Sequence, residues 1–234
     1  MSKELSPFGK KDALPAFLVK EHDASGNENV SAEDLAVPQL KVLQPQSPEA
    51  LNNKGMQPGQ MMLTVKNETY DELYAINLSF DSHFVVWRDR KQGGGKMGQA
   101  NSQQEAMEIV AGLPGTAADY NISRSHVHKL LLLNKDGSVL SPAQLFLSST
   151  GLQFSQRWNT EIMLAYDGKP RFSGVWQLTT KTESNAKGTW YALDVQFAGY
   201  VTEELFNEAK ETHKALAVEE PAEWSPPKDT PTPA

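Results

Sequence analysis

Tryptophan and tyrosine residues stand close to lysine and arginine residues again and again in the middle of this 234-residue chain. Aromatic faces stack on unpaired bases and cations neutralise phosphates, so a protein that binds single-stranded nucleic acid needs both residue types together. The candidate stacking residues are Trp87, Trp176, Trp190 and Tyr191. The candidate phosphate contacts are Arg88, Arg90, Lys91, Lys96, Arg157, Lys169, Arg171, Lys181 and Lys187. The alternative is that the rings form the core of a β domain and the cations are ordinary surface residues.

The distribution of charge along the chain favours a nucleic-acid interface, whereas the net charge of the whole chain does not. A formal charge of −7 and a pI near 5.3 argue against a protein that coats nucleic acid through bulk positive charge. Residues 80–200, however, hold 12 Lys and Arg against 10 Asp and Glu, while both flanking segments are acidic. The middle of the chain can therefore carry a local basic surface.

Enzyme signatures are not evident in the sequence. The chain has no cysteine, which excludes thiolate metal sites and cysteine nucleophiles. Only His126 and His128 have a spacing that places two imidazoles on one strand face, and no carboxylate signature accompanies them. The loop Gly93–Gly98 has Met97 where a phosphate loop needs Ser or Thr. We expect a protein that is not an enzyme and needs no cofactor or metal. A metal-dependent nuclease stays an alternative, because its carboxylates can be scattered along a chain.

Hydrophobic periodicity predicts a mostly β protein with a few helices. The predicted strands are Met61–Lys66, Leu73–Phe80, His83–Arg88, His126–Leu133, Gln144–Ser148, Arg171–Lys181 and Gly188–Gly199. Ser102 begins one predicted helix as a capping box with Glu105. Thr150 caps a second, whose apolar stripe makes Trp158 a core residue, and a third begins near Thr202.

From residue 83 onward this order is that of an OB-fold. An OB-fold is a β-barrel of five strands, and here a helix lies between barrel strands 3 and 4 and another at the C-terminus. Its nucleic-acid-binding loops would be Asp89–Ser125 and Thr182–Lys187, which carry or flank many of the candidate residues. The strands before residue 83 would extend the barrel or form an added hairpin.

Composition divides the chain into three parts. Residues 1–34 have the polar composition of a flexible arm, 35–216 form a single OB-like domain, and 217–234 form a disordered, acidic, proline-rich tail. Within the tail, Glu219, Glu220, Glu223 and Trp224 could bind a basic groove on a partner or fold back onto the basic groove of the protein itself, where they would compete with DNA. No apolar run is long enough to cross a membrane, no secretory signal is visible, and the expected location is the cytoplasm.

Several short segments resemble single-stranded-DNA-binding proteins from the replication modules of tailed bacteriophages. These segments are Ala36–Gln44, Ser47-Pro48-Glu49, Pro58-Gly59 and Asn185–Tyr191. The resemblance implies an OB-fold, a role in DNA replication or recombination in the host cytoplasm, and an acidic C-terminal tail that recruits replication proteins. One departure is that Pro226–Ala234 follows the acidic segment, so the chain does not end on acids and an aromatic residue.

The primary hypothesis is therefore single-stranded DNA binding with little sequence specificity. Its first rival is a phage accessory protein, also without enzymatic activity, that binds a host or viral protein. The metal-dependent nuclease is the second rival. The sequence leaves open whether the protein forms a homodimer.

Overall fold

The computed structural model of the protein describes residues 37–186 and 188–218. Within these residues, nine strands form two antiparallel sheets, and four α-helices accompany them. The strands are β1 (Leu40–Val42), β2 (Met61–Leu63), β3 (Glu68–Tyr70), β4 (Leu73–Arg88), β5 (Lys96–Ala100), β6 (Tyr120–Leu133), β7 (Val139–Ser148), β8 (Gly174–Asn185) and β9 (Gly188–Tyr200). The helices are α1 (Pro48–Asn52), α2 (Gln103–Ala111), α3 (Gly151–Tyr166) and α4 (Glu203–Val218).

The larger sheet is organised around β4. Its strand order is β7-β6-β4-β8-β9, and β5 pairs with the end of β4. The two strands predicted over Leu73–Phe80 and His83–Arg88 are one strand of 16 residues. A register shift between Asn77 and Ser79 lets this long strand bend while it stays paired with β6.

The prediction of a mostly β fold is confirmed. The predicted helices before the last two strands and at the end of the domain are also present, as α3 before β8 and as α4 after β9. The prediction that the strands close into a barrel is wrong. Closure would require the third and fifth barrel strands, β7 and β9, to pair, and both are edges of the larger sheet. The predicted earlier strands exist as the small sheet β1-β2-β3.

The segment that contains β1 lies between the two unpaired edges. On one side, the Gln144 amide of β7 donates to the Pro38 carbonyl at 2.8 Å. On the other side, the side-chain amide of Gln44 bonds both backbone groups of Tyr191 in β9, at 2.8 and 2.9 Å. The gap of the barrel is therefore bridged partly by this segment and not by β7 and β9 themselves.

Each face of the larger sheet packs against a helix. The predicted stripe of α3 is confirmed, since Trp158 and Ile162 are buried in the main core with residues of both sheets. On the other face, α4 packs Ala209 against Ile76 and Leu131. These contacts fix the scaffold on which the candidate residues lie.

The ends of the predicted helices are confirmed in part. The Ser102 hydroxyl accepts from the Glu105 amide at 3.2 Å, as the capping box predicts. Thr150 is the N-cap residue of α3, as predicted, but it has helical backbone angles and its side chain accepts no capping hydrogen bond. None of the described helices is long and apolar enough to span a membrane.

The division of the chain into arm, domain and tail stays a prediction. Residues 1–34 and the tail residues Glu219, Glu220, Glu223 and Trp224 lie outside the described residues. Lys187, in the turn between β8 and β9, lies outside them as well.

Candidate nucleic-acid interface

The first group of candidate residues lies at the end of β4, and we call Trp87, Arg90, Lys91 and Lys96 the β4-end patch. Trp87 is 43% exposed, and its ring nitrogen donates to the Ser123 hydroxyl at 3.0 Å. This hydrogen bond ties the ring to the neighbouring strand while part of the ring faces solvent. All three cations are exposed, and none forms an ion pair with a residue that the structure describes. The patch combines an accessible ring with uncompensated positive charge.

Arg88 borders this patch but is half-buried. Its side-chain Nε is buried and bonds to no described residue. Its backbone amide donates to the Gly95 carbonyl at 2.9 Å, which ties the end of β4 to the loop before β5. We therefore treat Arg88 as a support for the β4-end patch.

The glycine loop shapes the patch and does not cradle a phosphate. Gly93, Gly94 and Gly95 all have positive φ, between 66° and 109°, which glycine adopts without steric cost. The amides of Gly93 and Gly94 donate back to the carbonyls of Arg90 and Asp89. These donors are therefore already used inside the turn that presents Arg90 and Lys91.

The second group of candidate residues lines a groove at the β9 edge. This groove has a volume of about 650 Å³ and lies among β1, β7, α3 and β9. Arg157, Lys181, Trp190 and Tyr191 line it, together with apolar residues such as Phe154. Trp190 and Tyr191 are half-buried.

Carboxylates compensate the cations of the groove. Arg157 lies 2.8 Å from Asp194 and 3.5 Å from Glu161, and Lys181 lies 3.6 Å from Asp194. The hydrogen bond from Arg157 holds the pKa of Asp194 below its ordinary value, so this carboxylate stays charged. A phosphate in the groove would have to compete with these carboxylates. At the β4-end patch the Asp89 carboxylate bonds the Lys91 backbone amide at 2.8 Å and forms no ion pair with the three cations.

One predicted contact residue, Trp176, belongs to the interior, which corrects its assignment, and a second, Arg171, is half-buried and bonded to other side chains. Trp176 is 1% exposed, and its ring nitrogen donates to the Tyr166 hydroxyl at 2.6 Å, so no base can reach the ring. Arg171 donates to Asn77 at 2.7 Å and to Asn159 at 2.5 Å, and burial lowers its pKa to about 10. Lys169 is exposed in the turn after α3 and is not among the residues that line the groove.

The structure does not bring the rings and cations into one trough. Where β4 and β8 pair, Leu73 lies opposite Leu178. From there β4 runs to Trp87, whereas β8 runs the other way to Glu183, which lies opposite Trp190. The β4-end patch and the groove are therefore separate surfaces, and the candidate interface is the former.

A buried polar cluster occupies the place where the sequence offered a two-histidine metal site. The Ser155 hydroxyl of α3 lies 2.8 Å from His126 Nδ1 and 2.7 Å from His128 Nε2. His128 Nδ1 lies 2.9 Å from the Asn77 amide nitrogen, and His128 stacks on Trp158. Across residues 37–186 and 188–218, no group of three or more His, Asp or Glu side chains is placed to hold a metal.

Sequence reasoning missed some residues that matter to these surfaces. Phe146, on the edge strand β7, is 45% exposed and lines the groove. Gln44 reaches β9 across 147 positions, and nothing local in the sequence marks that contact. A signal for Ser155 did exist, since it is the one small polar residue on the apolar stripe of α3 beside Phe154 and Trp158.

Comparison with known proteins gives a family match. The family model described as Pam3 phage gp34-like protein matches residues 8–221, which is well over half of the chain. Neither the curated proteins nor the solved structures gave a match.

Proposed function

Because the chain belongs to the Pam3 phage gp34-like family and is thus a phage protein, we propose that it binds single-stranded DNA with little sequence specificity. The binding would serve phage DNA replication or recombination in the host cytoplasm. The observation that supports this proposal is the β4-end patch, where an exposed ring lies among cations that no described carboxylate neutralises. Bases stack on Trp87, and Arg90, Lys91 and Lys96 contact the phosphates.

The arrangement suits single strands better than duplex DNA. An unpaired base exposes the π-face that Trp87 can stack on, and stacking makes no distinction among the four bases. In a duplex those faces are already covered by neighbouring bases, so the ring would contribute little. The acidic segment around Trp224 would recruit other replication proteins.

Substitution of Trp87 tests the proposal. We expect Trp87→Ala to weaken oligo-dT binding by about 1–3 kcal/mol, because one stacked base is lost. The melting temperature should change little, because the ring is 43% exposed. Fluorescence titration with oligo-dT measures the affinity, and a thermal melt of the same sample measures stability.

Phe146→Ala is the matched control, since Phe146 is equally exposed but belongs to the groove. It should leave the affinity unchanged. If Phe146→Ala weakens binding and Trp87→Ala does not, the groove and not the β4-end patch holds the DNA. If the wild-type protein does not bind oligo-dT at low salt, the proposed function is wrong.

The groove favours a second candidate function, the binding of a host or viral protein. Its apolar lining and its compensated cations suit an uncharged peptide segment better than a polyanion. The oligo-dT titration separates the candidates, because a protein with this function alone gives no DNA-dependent quenching. Incubation of labelled oligonucleotide with Mg²⁺ or Mn²⁺ tests for a nuclease in the same samples.

A further inference from the structure

Four basic side chains lie together on the face of the larger sheet that α3 covers. Three of them, Arg124, His126 and His128, alternate along β6, and alternate residues of a strand point to the same face. The Ser155 hydroxyl of α3 bonds both imidazoles, which identifies that face. The fourth side chain is Arg171, whose Nη2 lies 3.4 Å from His128 Nδ1. We call these four residues the basic cluster.

No carboxylate compensates the basic cluster. Within residues 37–186 and 188–218, none of its members forms a hydrogen bond or an ion pair with Asp or Glu. Buried cations in proteins are usually paired with carboxylates. Burial lowers the pKa of Arg171 to about 10, and no carboxylate opposes this effect. His126 Nε2 is also buried and bonds to none of these residues. The cluster therefore lacks both negative charge and hydrogen-bond partners.

The two guanidinium groups of the cluster are close to each other and reach solvent. Arg124 Nε donates to the Ser82 hydroxyl at 3.1 Å, and Arg171 Cζ lies 5.6 Å from the centroid of the Phe80 ring. Phe80 and Ser82 are two positions apart on the same face of β4, a separation of about 7 Å. Arg124 is exposed, and the other three residues are half-buried. The terminal nitrogens of Arg124 and Nη1 of Arg171 bond to no residue that the structure describes.

We propose that Arg124 and Arg171 bind a phosphate group between them. The planar guanidinium group of arginine matches the geometry of phosphate oxygens and donates strong hydrogen bonds to them. A phosphate would supply the negative charge and the acceptors that the basic cluster lacks. Both a nucleic-acid backbone and a small phosphate ester carry this group.

This phosphate site is separate from the β4-end patch. The ring of Trp87 bonds Ser123, which precedes Arg124 in β6, so both lie on the opposite face of the sheet. The phosphate site therefore does not depend on the proposed function.

Titration with inorganic phosphate tests the proposal. Calorimetry on the full chain, at constant ionic strength with NaCl as the balancing salt, should show that the wild type binds phosphate. Arg124→Gln should weaken this binding about tenfold or more, because hydrogen bonds between charged groups are lost. Arg124 is exposed, so circular dichroism and the melting temperature should match those of the wild type. Arg171→Gln should weaken binding as well, and its melting temperature without phosphate shows separately what the lost bonds to Asn77 and Asn159 cost the fold.

Arg90→Gln is the matched control. It removes an exposed arginine from the β4-end patch, and this arginine also forms no ion pair with a described residue. Phosphate binding should stay unchanged. The proposal is overturned if the wild type does not bind phosphate, if Arg124→Gln binds it equally tightly, or if Arg90→Gln loses as much affinity.

Oligo-dT titration of the same variants identifies the source of the phosphate. If Arg124→Gln weakens oligo-dT binding together with phosphate binding, the site takes a phosphate of the nucleic acid. If it weakens phosphate binding alone, the site takes a small phosphate ester. A wild type that binds phosphate and not oligo-dT would contradict the proposed function and still support this site.

Discussion

Three neighbours determine the protonation of His128. Arg171 Nε donates to the carbonyl oxygen of Asn77, so the amide nitrogen of Asn77 must donate to His128 Nδ1. The proton of His128 is therefore on Nε2 and is donated to Ser155. The Ser155 hydroxyl can then donate to His126 Nδ1. This chain of donors joins β4, β6 and α3 only while His128 is neutral.

Lowering the pH should therefore destabilise the fold. Burial, aided by the charge of Arg171, lowers the pKa of His128 from 6.5 to about 3. The unfolded chain takes up this proton near pH 6.5, and the folded protein does not until about pH 3, so the unfolded state binds more protons between these values. The stabilisation that comes from neutral His128 is therefore complete above pH 6.5 and is lost as the pH falls toward 3. The midpoint of urea unfolding, measured at several pH values, should decrease as the pH is lowered from 6.5 to 3.

His128→Gln provides the comparison, because its amide can still bond Ser155 but does not titrate. We expect a lower midpoint at neutral pH and a shallower decrease in acid. A slope that equals that of the wild type would show that other groups cause the pH dependence. His83 and His126, whose pKa values burial also lowers, would be the next to test.

Residue identity alone does not separate core rings from surface rings. Trp176 and Trp190 both lie in strands beside cations, and yet the first is sealed under α3 and the second lines the groove. Burial depends on which strand face α3 covers, and that face is fixed by pairing between distant strands. In α3, by contrast, the sequence spacing was enough to predict which side chains are buried, because Trp158 and Ile162 recur at helical intervals.

At the scale of elements, Gly59 allows the loop before β2 to contact β9. Its φ is +92°, and a Cβ at this position would lie 2.7 Å from the Tyr191 ring. The Gly59 carbonyl also accepts from the Thr180 hydroxyl at 2.6 Å. Replacing one hydrogen of Gly59 with a methyl group would therefore disturb the contacts of this loop with both β8 and β9.

We expect Gly59→Ala to destabilise the protein by about 1–3 kcal/mol, because overpacking adds to backbone strain. Gly137→Ala is the control, since its φ is +84° but nothing lies within 4 Å of the added methyl group. The difference between the two urea midpoints isolates the contact with Tyr191. Equal losses in both variants would mean that the ring moves aside freely.

Most elements could be predicted from the sequence, whereas closure of the sheet could not. The hairpin of β8 and β9 and the helix after β7 follow from local alternation and helical spacing. Whether β7 meets β9 depends on what lies between them, and that segment comes from residues 38–44, about a hundred positions before β7. The β4-end patch was predictable only in part, since Trp87 and Lys96 are paired by strand register.

For the molecule as a whole, a net charge of −7 coexists with a local basic surface. Carboxylates pair with the cations of the groove, whereas the cations of the β4-end patch form no ion pair with any residue that the structure describes. Long-range repulsion of DNA should be screened at moderate salt, while the direct phosphate contacts remain. Affinity measured at a single salt concentration would mix these two effects.

The salt dependence of the DNA affinity should report how many phosphates the protein contacts. Three contacts from Arg90, Lys91 and Lys96 give a slope of about −2 for log K against log salt on single strands. Replacing all three with Gln should bring the slope close to zero. Oligo-dT titrations at several salt concentrations measure it.

Replacing Lys41, Arg157 and Lys181 with Gln changes the net charge equally and serves as the control. These three cations line the groove, where carboxylates already pair with them. The slope should stay near that of the wild type. If it falls as far as in the first variant, the phosphates follow the groove.

The contact between Gln44 and Tyr191 has a consequence for the order of folding. Its two residues are 147 positions apart, and β1 leaves the ribosome long before β9 exists. Contacts of such sequence separation form slowly, because a long loop must close first. Residues 38–44 can pair with β2 early, but they wait through most of synthesis without their neighbours in β7 and β9. This part of the sheet is completed only after the C-terminal hairpin emerges.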